Sequence, residues 1–233
     1  MAIATPESYA DMLDRAKAGK YAIPAINVTS SQTLSAALKG FADAESDGIV
    51  QISNGGAAYW SGSSRLDRVA GSLAFAAYAR AVGDLYPGIV GLHTDHCPKK
   101  FLDCWIHPLL EIEAERVKRG ELPVFQSHMW DGSAESLDDN IEIAVDMLKR
   151  SRAAHTVLEI EIGAVGGEED GIKGEENANL YTTADDAWKA VEALGLGENG
   201  RYITALTFGN VHGSYKPGHV KLRPEILGEI QDE

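Results

Sequence analysis

The chain has 233 residues, 44% hydrophobic and 24% charged, a globular composition that excludes extended disorder. Asp and Glu (35) outnumber Lys and Arg (21), and the formal charge of −14 disfavours nucleic acid and anionic membranes as partners. No apolar run reaches the roughly 18 residues that span a bilayer, no basic-then-apolar leader opens the chain, and Cys97 and Cys104 make neither a disulfide framework nor a zinc ribbon, so one cytoplasmic domain over residues 1–233 is expected.

Along the chain, short apolar or β-branched runs alternate with helical patterns. The expected strands are Tyr21–Asn27, Gly48–Ser53, Ile89–Asp95, Pro123–Ser127, Thr156–Ile162 and Tyr202–Gly209. Leu34, Leu38 and Phe41 fall on one helical face. So do Ile141, Val145 and Leu148, preceded by Asp138 and Asp139 as capping candidates. The strands read as nearly continuous apolar runs, as expected when helices cover them. Strand starts are spaced by the length of a βα unit, which gives an α/β fold.

A doubly wound sheet and a (β/α)8 barrel share this rhythm. No Gly-x-Gly-x-x-Gly follows the first strand and no Gly-x4-Gly-Lys-Ser/Thr occurs, so the common nucleotide cradles are missing. Nearly every strand instead ends in chemically capable residues: Asn27, Ser53, Asp95 with His96, His128 with Asp131, Glu161, and Asn210 with His212. Asn, Ser and Asp also form turns there, but chemistry spread over many carboxyl ends is the TIM-barrel pattern. Six βα units are counted, two short of a closed barrel.

His93-Thr94-Asp95-His96 closes the third strand, with His93 and Asp95 on one face. His96 joins them only if the chain bends there. Gly209-Asn210-Val211-His212-Gly213 closes the sixth. Two histidines from separate strand ends suit a zinc ion, which normally takes three protein ligands and keeps one position open. His93, His107, His155 and His219 are weaker candidates. In Leu158–Gly171, Glu159 and Glu161 alternate with apolar residues and share a face, and a Gly-rich acidic stretch follows. That stretch is expected to be a mobile loop carrying a general base. Gln51-Ile52-Ser53-Asn54-Gly55-Gly56 offers hydroxyl, amide and backbone N–H groups to a phosphate, or simply turns the chain into a helix. None of the six expected strands contains a lysine, so a Schiff base has no candidate among them; if a carbanion beside a carbonyl must be stabilised, a metal is the remaining electrophile.

These residues resemble the class II, zinc-dependent fructose-1,6-bisphosphate aldolases. The likeness is carried by Pro24-Ala25-Ile26-Asn27, Ser53-Asn54-Gly55-Gly56-Ala57, His93-Thr94-Asp95-His96-Cys97-Pro98, Gln126-Ser127-His128-Met129-Trp130-Asp131, Leu158–Gly171 and Gly209–Gly218. The resemblance implies a (β/α)8 barrel, homo-oligomeric when full length, that cleaves a sugar bisphosphate into dihydroxyacetone phosphate and glyceraldehyde 3-phosphate. It implies His96 and His212 as ligands of a catalytic Zn2+. Asp95 would be the proton donor and Glu169 the base beside the ketone. Asp131 and Glu161 would form a second divalent site, with Glu168 as a further candidate ligand. Asn27 and Ser53 would touch substrate, and Gly213 would help hold a phosphate and a K+ or Na+ ion. Members of the family continue into a seventh strand with a third zinc histidine, and an eighth. Lacking these, the 233 residues alone are expected to be nearly inactive. A tagatose-bisphosphate aldolase, a non-catalytic partial barrel and a metal-dependent hydrolase are the rival readings.

Overall fold

A computed structural model describes residues 3–62, 64–163, 166–169, 172–174, 180–212 and 221–232, without the side chains of 166–169, 172–174 and 212. The chain divides into two compact units, Met1–Met129 with Arg150–Val157, and Trp130–Lys149 with Leu158–Glu233.

In the first unit, helix α1 (Pro6–Gly19) starts at a reciprocal cap between Thr5 and Ser8 and ends at Lys20, whose φ of 54° is left-handed. Strand β1 (Ala25–Asn27) follows. It is shorter than the Tyr21–Asn27 run expected, for two reasons. The Tyr21 amide is drawn back to the carbonyl of Ala16, and Pro24 has no N–H, so pairing begins with the Pro24 carbonyl accepting from Ile49. Helix α2 (Ser31–Asp43) buries Leu34, Leu38 and Phe41, the face expected from their spacing. Strand β2 (Gly48–Ile52), helices α3 (Asn54–Trp60) and α4 (Arg68–Gly83) and strand β3 (Val90–Pro98) come next. β1, β2 and β3 pair in parallel, Asn27 beside Gln51 and Gln51 beside His93. A 3-10 turn (Lys99–Phe101) and a π-turn (Leu102–Ile106) lead into α5 (His107–Lys118).

Strand β4 (Ser127–Asp131) starts where the expected strand Pro123–Ser127 was to end. The Arg80 guanidinium takes the carbonyls of Pro123 and Val124, and the Glu113 carboxylate takes the Phe125 N–H. Those backbone groups are therefore lost to a ladder. Lateral bonding begins at Gln126, which donates to Leu92 and accepts from Val157.

β4 and strand β5 (Val157–Ile162) each begin in the first unit and end in the second, connected by α6 (Leu137–Ala154). The cap of α6 is Ser136, which accepts from the Asp139 amide while its hydroxyl donates to the Asp139 carboxylate; Asp138 and Asp139 thus lie in the first turn and are not themselves the cap. Its buried face is Asn140, Ala144, Met147, Leu148 and Ser151, and Val145 is exposed. Of the expected stripe, Leu148 is buried, Ile141 is half-buried and Val145 faces solvent.

The acidic Gly-rich stretch, expected as a loop, contributes a hairpin of β6 (Gly166–Glu169) and β7 (Ile172–Gly174). After α7 (Ala184–Leu194), capped by Thr183 and Asp186, β8 (Tyr202–Leu206) pairs in parallel with β5. β8 stops before Gly209 because the Thr207 and Gly209 amides turn to Thr182 Oγ1 and the Leu180 carbonyl. Strand β9 (Val211–His212) lies beside β6, in the order β7-β6-β9, and α8 (Glu225–Asp232) follows. Among the described residues, no helix is long and apolar enough to cross a membrane.

Candidate active site

Side chains alternate along β3, so His93 and Asp95 share one face and Thr94 takes the other. Both His93 and Asp95 are buried. Asn27 Nδ2 donates to Asp95 Oδ2 at 2.8 Å, which orients the carboxylate and leaves Oδ1 for other partners. The bend that His96 needs is present. Its φ is 30°, a left-handed value costing a non-glycine residue roughly 1–3 kcal/mol. It brings Nε2 of the half-buried His96 to 3.9 Å from Asp95 Oδ1.

His93 has a different role from the ligand role given to it as a weaker candidate. Its Nδ1 meets Ser127 Oγ at 2.8 Å, and Ser127 Oγ meets the hydroxyl of Tyr9 at 2.9 Å. Burial pushes this imidazole down to about 4, against the opposing pull of Asp95, so it is neutral near pH 7. His107 bonds Asp103 at the start of α5, and His155 is exposed beyond α6; neither sits at a strand end. His219 lies outside the described residues.

His128 turns to the outer face of its strand. Its Nε2 donates to Glu113 Oε2 at 2.8 Å, and its Nδ1 bonds Thr94 Oγ1 at 2.8 Å. Sequence reading left Glu113 out. The signal was its position four residues after Leu109 and three after Leu110, which sets an acid on the buried face of α5. Ser53 caps α3 by accepting the Gly56 amide at 3.2 Å, the turn-forming role, and its hydroxyl proton remains available to donate.

In the second unit, Asp131 Oδ1 accepts from the Ser133 amide at 3.0 Å and from its hydroxyl at 2.6 Å. Glu161 is buried, as the alternation of Leu158–Ile162 required, and Glu159 is half-buried. Asp131 and Glu161 each offer an oxygen within 4.8 Å of the other's. Asn140 holds this region together: Nδ2 donates to the Glu161 carbonyl at 2.8 Å, and Oδ1 accepts from Trp130 Nε1 at 2.7 Å. Gly132 is required beside it, since a Cβ there would lie 2.1 Å from the Asn140 side chain. Two carboxylates this close repel unless a cation or proton lies with them, so the pair fits a divalent ion.

For Glu168, Glu169 and His212 only the backbone is described. Glu168 pairs with Lys173 and Glu169 with Ile172 across the hairpin, and His212 stands beside Gly167. Lys173, on a strand that sequence reading did not foresee, qualifies the absence of strand lysines, which holds for the six parallel strands. Gly213 lies outside the described residues.

The model of the family "Fructose-bisphosphate aldolase class-II" matches residues 7–233. The chain belongs to that family. The fructose-bisphosphate aldolase of Streptomyces coelicolor is 62% identical over 232 residues, 100% of this chain and 68% of that protein. That of Corynebacterium glutamicum is 59% identical over 231 residues, 99% of this chain and 67% of its own length. A crystal structure of fructose-bisphosphate aldolase from Campylobacter jejuni superposes with a TM-score of 0.83 at 37% identity, covering 99% of this chain and 65% of that one. The chain thus spans about two thirds of the length of these relatives. Membership in this lyase family carries the TIM-barrel-like α/β fold expected from the alternation of strands and helices.

Proposed function

We propose that this chain carries most of the machinery for the reversible aldol cleavage of fructose 1,6-bisphosphate. The observation that carries this reading is the aldolase family match over residues 7–233, and the placement of Asp95, Asp131 and Glu161 at strand ends supports it. Asp95, buried and aimed by Asn27, is the group that exchanges a proton with the aldehyde oxygen. Glu169, on the hairpin, takes the proton from the carbon beside the ketone; the two acids work on different atoms of one substrate.

Asp131, Glu161 and Glu168 would hold a second divalent ion, and His96 and His212 would hold a Zn2+ ion. Zinc bound to them would polarise the ketone oxygen, the task a lysine Schiff base performs elsewhere. Asn27 and Ser53 would contact the sugar, and Gly213 would help hold a phosphate and a K+ or Na+ ion. The protein acts in the cytoplasm as a homo-oligomer.

The test is a coupled cleavage assay on the zinc-loaded full-length enzyme, from which the variants below are also made, with fructose and tagatose bisphosphates in parallel, preference for tagatose pointing to that sister activity. His212→Ala should abolish both cleavage and bound zinc. Glu169→Ala should lower turnover with zinc retained. Wild-type zinc in the His212 variant, or a borohydride-trapped sugar adduct, overturns the assignment.

A further inference from the structure

Thr94, His128 and Glu113 belong to no step above, yet all three are completely buried. They tie together three elements of the first unit. Glu113 of α5 accepts from His128 Nε2 and, through its other oxygen, from the Phe125 amide, each at 2.8 Å. The other ring nitrogen of His128 is bonded to Thr94, two residues before the left-handed bend at His96. The ring packs 5.4 Å from that of Phe125, which stacks on Phe75. A bond to a carboxylate is among the stronger hydrogen bonds, and in a buried setting its loss is costly.

The segment from Thr94 through the bend and the two short turns to Glu113 is therefore closed on itself by His128. A disfavoured backbone conformation persists only where its surroundings determine it. We propose that His128 is a positioning residue: bonded between Glu113 and Thr94, it holds the end of β3 so that Asp95 and His96 leave the bend in one orientation. This rests on the proposed roles of Asp95 and His96 in the reaction. His128 itself touches no reacting atom.

The test compares Thr94→Val, which removes one hydroxyl at constant shape, with Ser72→Ala. The latter breaks an equally buried bond, Trp105 Nε1 to Ser72 Oγ at 2.9 Å, in the same unit. Amide hydrogen exchange of the peptide spanning residues 92–98, and kcat and KM, are read on the zinc-loaded full-length enzyme. Thr94→Val should speed exchange there by roughly three- to tenfold, as expected for one lost hydrogen bond, and lower kcat about tenfold with KM little changed. Ser72→Ala should alter neither. Glu113→Gln, which keeps the shape and one acceptor, should fall between, and it carries the same readouts if the valine variant does not fold. Unchanged exchange in Thr94→Val overturns the clamp. Faster exchange with unchanged kcat leaves it a structural tie and overturns the positioning role. If the full-length wild-type enzyme shows no cleavage, the proposed function fails, and the exchange data alone decide the clamp.

Discussion

The β3 region and the β5 region both bury acids, but they stabilise them differently. Around β3 the polar groups are matched to protein partners: Asp95 to Asn27, His93 to Ser127 and Tyr9, His128 to Glu113 and Thr94. At the ends of β4 and β5, Asp131 and Glu161 are brought near each other, with Ser133 on one and Asn140 fixing the backbone of the other. The first arrangement orients its acid, Asp95, by a neutral donor, Asn27. The second concentrates negative charge, which suits a cation. A buried polar group is kept by completing its hydrogen bonds, and a pair of neighbouring carboxylates by a compensating positive charge or proton.

Substitution of the acids separates the two regions most sharply. In the zinc-loaded full-length enzyme, Asp95→Asn should lower kcat by roughly 10²–10⁴-fold, the usual contribution of a proton-transfer group, with metal content unchanged. Glu161→Gln should instead release bound divalent metal. Elemental analysis of both variants checks this, and metal loss from the Asp95 variant would erase the distinction.

The pH dependence of stability comes next. His93 is held near 4 by burial, whereas an unfolded imidazole titrates near 6.5. The unfolded chain therefore binds a proton that the folded chain excludes, and the stability from this group is full above about 6.5 and lost as pH falls toward about 4. The loss is on the order of 3 kcal/mol. Urea unfolding against pH should show this slope in the wild type and a shallower one in His93→Gln. Parallel profiles for the two would count against a neutral buried histidine.

Smaller effects belong to the β4–β5 region. Gly132→Ala should destabilise by about 1–3 kcal/mol, because the added methyl collides with the Asn140 side chain. Ser133→Ala removes one hydroxyl bond to Asp131 and should cost about 1 kcal/mol. Denaturant midpoints measure both. A Gly132→Ala protein as stable as wild type would show that Asn140 moves freely.

Much of this was legible from residue order. β2 and β5 lie where apolar runs placed them, and the α2 stripe packs as its spacing required. The polar strand ends marked Asp95, Asp131 and Glu161. Other features were hidden because long-range partners decide them. Pro123–Gln126 has strand-like composition, but Arg80 and Glu113 claim its backbone. The stretch after Gly163 reads as flexible from its glycines, yet β9, more than forty residues later, supplies a pairing edge for part of it. His128 stood out only as a polar strand-end residue, because nothing nearby in sequence announces Glu113 as its partner.

Local order and hydrophobic period by themselves determined that strands and helices alternate and that acids and histidines end the strands, since both depend on near neighbours. Tertiary structure decided which of those groups are spoken for. It paired His93 and His128 with protein and bent the chain at His96, because hydrogen-bond partners and backbone strain are fixed by residues far away in sequence and close in space.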